Sequence, residues 1–155
     1  MATEAGHFPN RVYTDAQGNL HLNGSQFFND AEDDISGSFD YRVAVTATAG
    51  GGTTGLIPAG AKHVTITSDS AAKQVSLPAA EVGDKMTLFV GANGCELISA
   101  VAADKVNDVV VGATNELALG ADTHYHCEYV AANKWIVRGF TKLGAAQAAL
   151  VPDAL

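Results

Sequence analysis

The sequence predicts an all-β fold, a β-sandwich or small β-barrel with an extended N-terminal arm and a short C-terminal tail. Two observations carry that expectation. Between residues 56 and 140, short runs of alternating apolar and β-branched residues follow one another, at 62–67, 73–77, 85–90, 95–101, 106–111, 116–119, 123–130 and 134–140. Gly, Pro, Asn or Asp punctuates almost every gap between them. Short strands at regular spacing with turn signals between them are the pattern of a sandwich or small barrel.

Taken in order, residues 1–12 show no periodicity and contain Gly6 and Pro9, so they read as an extended arm. A hairpin-like stretch follows to residue 28. Leu20 and Leu22 alternate with Asn19, His21 and Asn23, and Asn23-Gly24 is a tight-turn pair because both residues tolerate positive φ. Asn29-Asp30-Ala31-Glu32-Asp33-Asp34 is an acidic loop. Arg42-Val43-Ala44-Val45-Thr46-Ala47-Thr48 alternates as a strand, and the Gly-rich tract at 50–55 reads as a flexible joint. The expected division is therefore 1–49 as arm and hairpin region, 50–55 as joint, 56–142 as main β domain and 143–155 as tail. Ala, Gln and Leu at 143–150 favour a short helix that would have to dock to be stable. The expected core is Leu56, Ile57, Val64, Ile66, Val75, Leu77, Met86, Leu88, Val90, Leu97, Leu117, Leu119, Tyr129, Trp135 and Val137. Trp135 alternates with Val137 and is expected as a core anchor.

The 155 residues carry nine Lys and Arg against seventeen Asp and Glu, a formal net charge of −8. Cation–phosphate contacts dominate nucleic-acid affinity, and no linear segment is basic, so neither direct nucleic-acid binding nor docking on anionic membrane is expected. Cys95 and Cys127 are too few for a disulfide framework and sit in expected strands, where a thiol behaves as a small buried apolar group. The first residues have neither a basic region nor an apolar core, unlike a signal peptide, and no apolar stretch reaches bilayer-spanning length.

His124, His126 and Glu128 form the sharpest chemical signal. Residues i, i+2 and i+4 of a strand share a face, and an HxH pair can ligate a metal when another strand supplies a further ligand. The competing and preferred reading is the polar face of a half-exposed strand, with Thr123, Tyr125, Cys127 and Tyr129 behind it. No metal or other cofactor and no catalytic residue is expected. The acidic loop lacks the alternating ligands and central Gly of an EF-hand. The Gly-rich tract lacks a following Lys-Ser or Lys-Thr, which a P-loop requires. No GxSxG nucleophile elbow occurs.

Three segments carry a family resemblance. The first is Asn10-Arg11-Val12-Tyr13-Thr14-Asp15-Ala16-Gln17-Gly18-Asn19-Leu20 with Leu22-Asn23-Gly24. The second is Leu56-Ile57-Pro58-Ala59-Gly60-Ala61 with Val64-Thr65-Ile66-Thr67 and Val75-Ser76-Leu77-Pro78. The third runs from Glu81-Val82-Gly83-Asp84-Lys85 through Gly91-Ala92-Asn93-Gly94-Cys95-Glu96-Leu97 to Asn133-Lys134-Trp135-Ile136-Val137. Together they resemble the small virion structural proteins of tailed bacteriophages, of the capsid decoration or cement type. The resemblance implies a homotrimer without enzymatic activity, made in the host cytoplasm and seated on the outer surface of the head. There it would contact the major capsid protein and bridge capsomers. The expected contact residues are His7, Phe8, Pro9, Asn10 and Arg11 in the arm and Leu150, Val151 and Leu155 in the tail. Two other readings compete: a head-fibre or tail-associated glycan-binding protein, and a small metal-dependent β-barrel enzyme built on His124, His126 and Glu128.

Overall fold

The computed structural model describes residues 12–14, 20–22, 41–50, 55–112 and 114–154. The chain divides into two units, Met1–Asp40 and Tyr41–Leu155. In the first, β1 (Val12–Thr14) pairs antiparallel with β2 (Leu20–Leu22). A hairpin therefore forms, but its strands flank residues 15–19. Asn23-Gly24, the arm residues His7 to Arg11 and the acidic loop lie outside the described residues, as does Leu155.

The second unit holds β3 (Arg42–Thr46), β4 (His63–Thr67), β5 (Gln74–Leu77), β6 (Lys85–Val90), β7 (Cys95–Ser99) and β8 (Lys105–Val106). These are followed by β9 (Val109–Val110), β10 (Asn115–Leu119), β11 (His124–Ala131), β12 (Lys134–Phe140) and β13 (Asp153–Ala154). The fold is all-β, with no helix among the described residues. A seven-stranded sheet has the order β3-β4-β6-β11-β12-β8-β9, and a four-stranded sheet the order β13-β10-β7-β5.

From β3 to β7 the chain coils between the two sheets. Strand β4 pairs parallel with β3 and with β6, and β5 pairs parallel with β7. Parallel neighbours need a long crossover, which is commonly a helix; here β5 of the opposite sheet returns the chain between β4 and β6. From β10 onward the pairings of β11 with β6 and β12 are antiparallel, and β10 pairs antiparallel with β7 and β13.

Alternation decides what each strand buries. Strand β4 buries Val64 and Ile66, β6 buries Met86, Leu88 and Val90, and β11 buries Tyr125, Cys127 and Tyr129. Facing residues Val75 and Leu77 of β5, Leu97 of β7, and Leu117 and Leu119 of β10 complete one continuous cluster. Burying each such aliphatic side chain contributes roughly 1.5–3 kcal/mol. Trp135 anchors it: the side chain is fully buried, meets Tyr129 edge-on at 5.0 Å, and donates Nε1–H to Asp104 Oδ2 at 3.2 Å.

Four expectations need correction. The division falls between Asp40 and Tyr41, not at 50–55, because β3 joins the main sheet through five paired residues with β4. The run at 106–111 is not one strand. Asn107 and Asp108 adopt positive φ (48° and 73°) and turn the chain from β8 into β9, a geometry Asn and Asp tolerate better than most residues. The tail is not a helix: Gln147 N–H donates to Gly139 C=O at 2.9 Å, Asn107 Nδ2 reaches Leu150 C=O at 2.8 Å, and β13 adds to the edge of β10. Those tertiary bonds outweigh the few tenths of a kcal/mol per residue that helix propensity offers. Leu56, expected in the core, is 38% exposed, because its isolated bridge to Ser76 turns Ile57 inward instead.

Candidate functional site

The outward face of the seven-stranded sheet gathers the side chains with chemical potential. Register places Arg42, His63, Thr87, His126 and Arg138 side by side across β3, β4, β6, β11 and β12. The adjacent row is Ala44, Thr65, Phe89, His124 and Phe140. Inward residues Tyr125, Cys127 and Tyr129 are buried behind them, so the expected division of faces along β11 is the observed one.

The rings form a connected layer. His124 stacks on Phe140 at 5.1 Å and 8°, and on Phe89 at 6.2 Å and 27°. Phe89 continues to His63 at 6.4 Å, and His126 tilts onto Phe140 at 4.8 Å. Phe89 is 44% exposed, an unusual position for a large aromatic, and it is held there by its neighbours on β4 and β11. Beside this layer lies a shallow groove of about 380 Å³ lined by Lys62, His63, Lys85, Thr87, His126 and Arg138, among others. Of the nine Lys and Arg in the chain, Arg42, Lys62, Lys85 and Arg138 belong to this face or its rim. Glu128 is the one carboxylate among the face's strand residues, and it pairs with Lys85 at 3.2 Å. A basic patch that no linear segment displays is thus assembled by the pairing of strands.

The three candidate metal ligands, set second to the polar-face reading, make other contacts. His124 and His126 lie 5.9 Å apart, centroid to centroid, and both pack on Phe140; Glu128 is engaged by Lys85. His63 does join their face, while His21 belongs to the first unit. Among the described residues no three His, Cys, Asp or Glu side chains converge as a metal site.

The remaining chemical groups are elsewhere. Both cysteines are free and buried; burial pushes the thiols of Cys95 and Cys127 up to about 12, with Glu96 adding to the effect at Cys95. Such thiols are poor nucleophiles. On the outer face of the four-stranded sheet, Glu96 stands near Glu116 and Asp153. Burial, then the two neighbouring carboxylates, pushes Glu96 up to about 7, and its Oε2 has no hydrogen-bond partner. Gln74 donates to Glu116 at 2.6 Å. Of the tail residues expected at an interface, Leu150 packs against the chain's own core, and Val151 is 67% exposed beside an apolar cleft of about 410 Å³ between β12 and 146–151.

Sequence reasoning missed Phe89, Phe140, His63 and Arg138 as one site. Part of the signal was present: Phe89 shares parity with Lys85 and Thr87, and Phe140 with Arg138, so each is an aromatic on a polar face. Their convergence depends on strand order, which alternation does not encode. Comparison with family models, with curated proteins and with solved structures returns no match. No helix among the described residues is long and apolar enough to cross a membrane.

Proposed function

We propose that this chain is a structural virion protein that decorates the outer surface of a tailed-phage head and bridges capsomers as a homotrimer. One observation carries the binding part of the reading: an outward sheet face spanning five strands that mixes stacked rings with cationic side chains. Aromatic residues and Arg are the types enriched where protein surfaces meet. The groove beside the rings is shallow, and both thiols lie buried away from it. The phage assignment itself rests on the resemblance of the three sequence segments. Around a threefold axis, three copies of such a face add weak contacts into durable attachment.

Co-sedimentation with undecorated heads tests this reading. The expected result is saturable binding at a fixed ratio to the major capsid protein, with a trimer mass by light scattering. A protein that stays monomeric and leaves the heads bare would refute it.

A further inference from the structure

Leu143, Val82 and Val151 are the most exposed large apolar side chains among the described residues, and two of them lie in the tail that follows β12. Leu143 is 94% exposed and Val151 67% exposed. Val151 also lines the apolar cleft between β12 and 146–151. We infer that Leu143 of one copy inserts into this cleft on a second copy, and that three such contacts close into a ring. The inference deepens the proposed homotrimer and rests on that reading for the number three; the contact between copies stands on the geometry by itself.

The backbone beneath Leu143 is already ordered. Leu143 holds the third position of a β-turn in which Gly144 N–H donates to Thr141 C=O at 2.8 Å, and Gly144 takes φ +83°. Thr141 N–H donates to Ala145 C=O at 2.8 Å, and Ala145 N–H donates to Thr141 Oγ1 at 3.1 Å. Lys142 Nζ meets Asp122 Oδ2 at 3.4 Å, which ties the turn to the connection between β10 and β11. Docking such a knob therefore adds little ordering cost. The cleft that would receive it holds about 410 Å³, and its lining includes Ile136, Phe140, Ala148, Leu150 and Val151. Its tail wall is fixed by the bonds from Gln147 N–H to Gly139 C=O and from Asn107 Nδ2 to Leu150 C=O. That volume admits a leucine side chain with the tip of its turn.

Charge and stoichiometry favour a second copy as the occupant. A chain of net charge −8 repels its copies over most of its surface. The cleft lining holds Arg138 and no carboxylate, so an approaching copy meets less of that repulsion here. The knob brings no net charge of its own, because Lys142 on its turn is paired with Asp122. Each chain carries one such knob and one such cleft, so a second copy satisfies both. A foreign partner in the cleft would leave Leu143 in water. Knob and cleft are different surfaces, so the contact is heterologous, and heterologous contacts close into rings or run on as filaments. One knob falls far short of the roughly 1,600 Å² of a standard interface, so a single contact is weak. Closing the ring makes the last contact intramolecular and the assembly durable.

Sedimentation velocity of the full chain over a rising concentration series tests the contact. Wild type should pass from monomer to trimer. Leu143→Lys and Ala148→Lys each add a cation to a contact that already holds Arg138, and each should weaken association about tenfold or more. Both positions are exposed, so thermal unfolding of the variants should match wild type. Leu143→Met should associate like wild type. So should Val82→Lys, which changes an exposed apolar side chain outside the cleft and so controls for general stickiness. An equal mixture of Leu143→Lys and Ala148→Lys should pair one to one at the top of the series and grow no further, since the first keeps its cleft and the second its knob. A wild type that stays monomeric throughout, association that survives Leu143→Lys, or a mixture that forms no pairs would overturn the inference. A dimer or an open-ended polymer at saturation would overturn ring closure. Trimers with these signatures that leave undecorated heads bare would refute the capsid reading and leave the contact standing; monomers that coat the heads would do the reverse.

Discussion

Replacing Glu96 by Gln should stabilise the protein at neutral pH and leave it unchanged in acid. Glu96 lies on β7 near Glu116 and Asp153, its Oε2 without a hydrogen-bond partner, and its carboxyl is pushed from 4.5 up to about 7. Below pH 4.5 the side chain is protonated in both folded and unfolded chains, and the site costs nothing. Between 4.5 and 7 the unfolded chain ionises while the folded one holds its proton. Unfolding then releases a proton, and stability falls as pH rises, levelling off above the folded value. In a fully shielded site a rise of this size would correspond to roughly 3 kcal/mol. Glu96 is only partly covered, and solvent screening reduces the expected effect to about 1 kcal/mol. Urea unfolding of wild type and Glu96→Gln at half-unit steps from pH 4 to 8 measures it. The curves should coincide near pH 4 and separate by about 1 kcal/mol above pH 7, with the variant the more stable. A constant gap across the range, or a wild type that gains stability between pH 5 and 7 relative to the variant, would show that Glu96 is ionised at no cost and that the reasoning is wrong.

Three further outcomes are expected. Asp104→Ala should cost about 3 kcal/mol in chemical denaturation, since it strands the buried Trp135 Nε1–H and the Ser99 hydroxyl that donates to the same oxygen at 2.7 Å; a loss under 1 kcal/mol would mean water replaces the carboxylate. Gly94→Ala should destabilise by about 2 kcal/mol or more, because Gly94 has φ +68° and a Cβ there would stand 2.7 Å from the carbonyl oxygen of Leu119; thermal unfolding checks it. Cys95 and Cys127 should resist a thiol reagent at pH 8 in the native protein and react fully in 6 M urea, following their burial and their rise to about 12; rapid native labelling of either would contradict the packing.

The strands were legible because their physics is local. In 63–67 and 85–90 each second residue is apolar, and that alone fixes which side faces the core. Fourteen of the fifteen expected core residues are buried, and Leu56 fails because its turn-flanking position uses a single bridge rather than a ladder. The turn inside 106–111 was hidden because its flanks, Val106 and Val109 to Val111, keep the composition of a strand, while the deciding fact is the positive φ of two polar residues. The tail's extended path was illegible for a different reason. It is fixed by distant partners, the side chain of Asn107 and the edge of β10, and no local propensity carries that information. The same holds for Asp104, whose role exists only because the coil brings Ser99 and Trp135 to it.

The site shows where local reasoning stops and what would have extended it. Arg42-Val43-Ala44-Val45-Thr46 and His63-Val64-Thr65-Ile66-Thr67 share one pattern: a basic or imidazole residue, Val, a small residue, a β-branched apolar residue, Thr. The two segments are separated by 21 positions (63 − 42) and pair residue for residue in parallel. A spaced repeat of this kind is the mark of a chain that coils, since each coil must return the same parity to the same face. Read that way, the pattern places β3 beside β4 in the main domain despite the Gly-rich tract between them. It also sets Arg42 beside His63 in register, and the next coil adds Thr87 in the same row. The antiparallel strand β11 then meets β6 with His126 opposite Thr87 and His124 opposite Phe89, and β12 brings Arg138 and Phe140 alongside. The ring-and-cation face is therefore a consequence of coil spacing meeting a single hairpin register. A one-residue slip between β6 and β11 would send Tyr125, Cys127 and Tyr129 outward and dissolve the face together with the part of the core that β11 supplies, so the register that holds the fold is also the register that assembles the site.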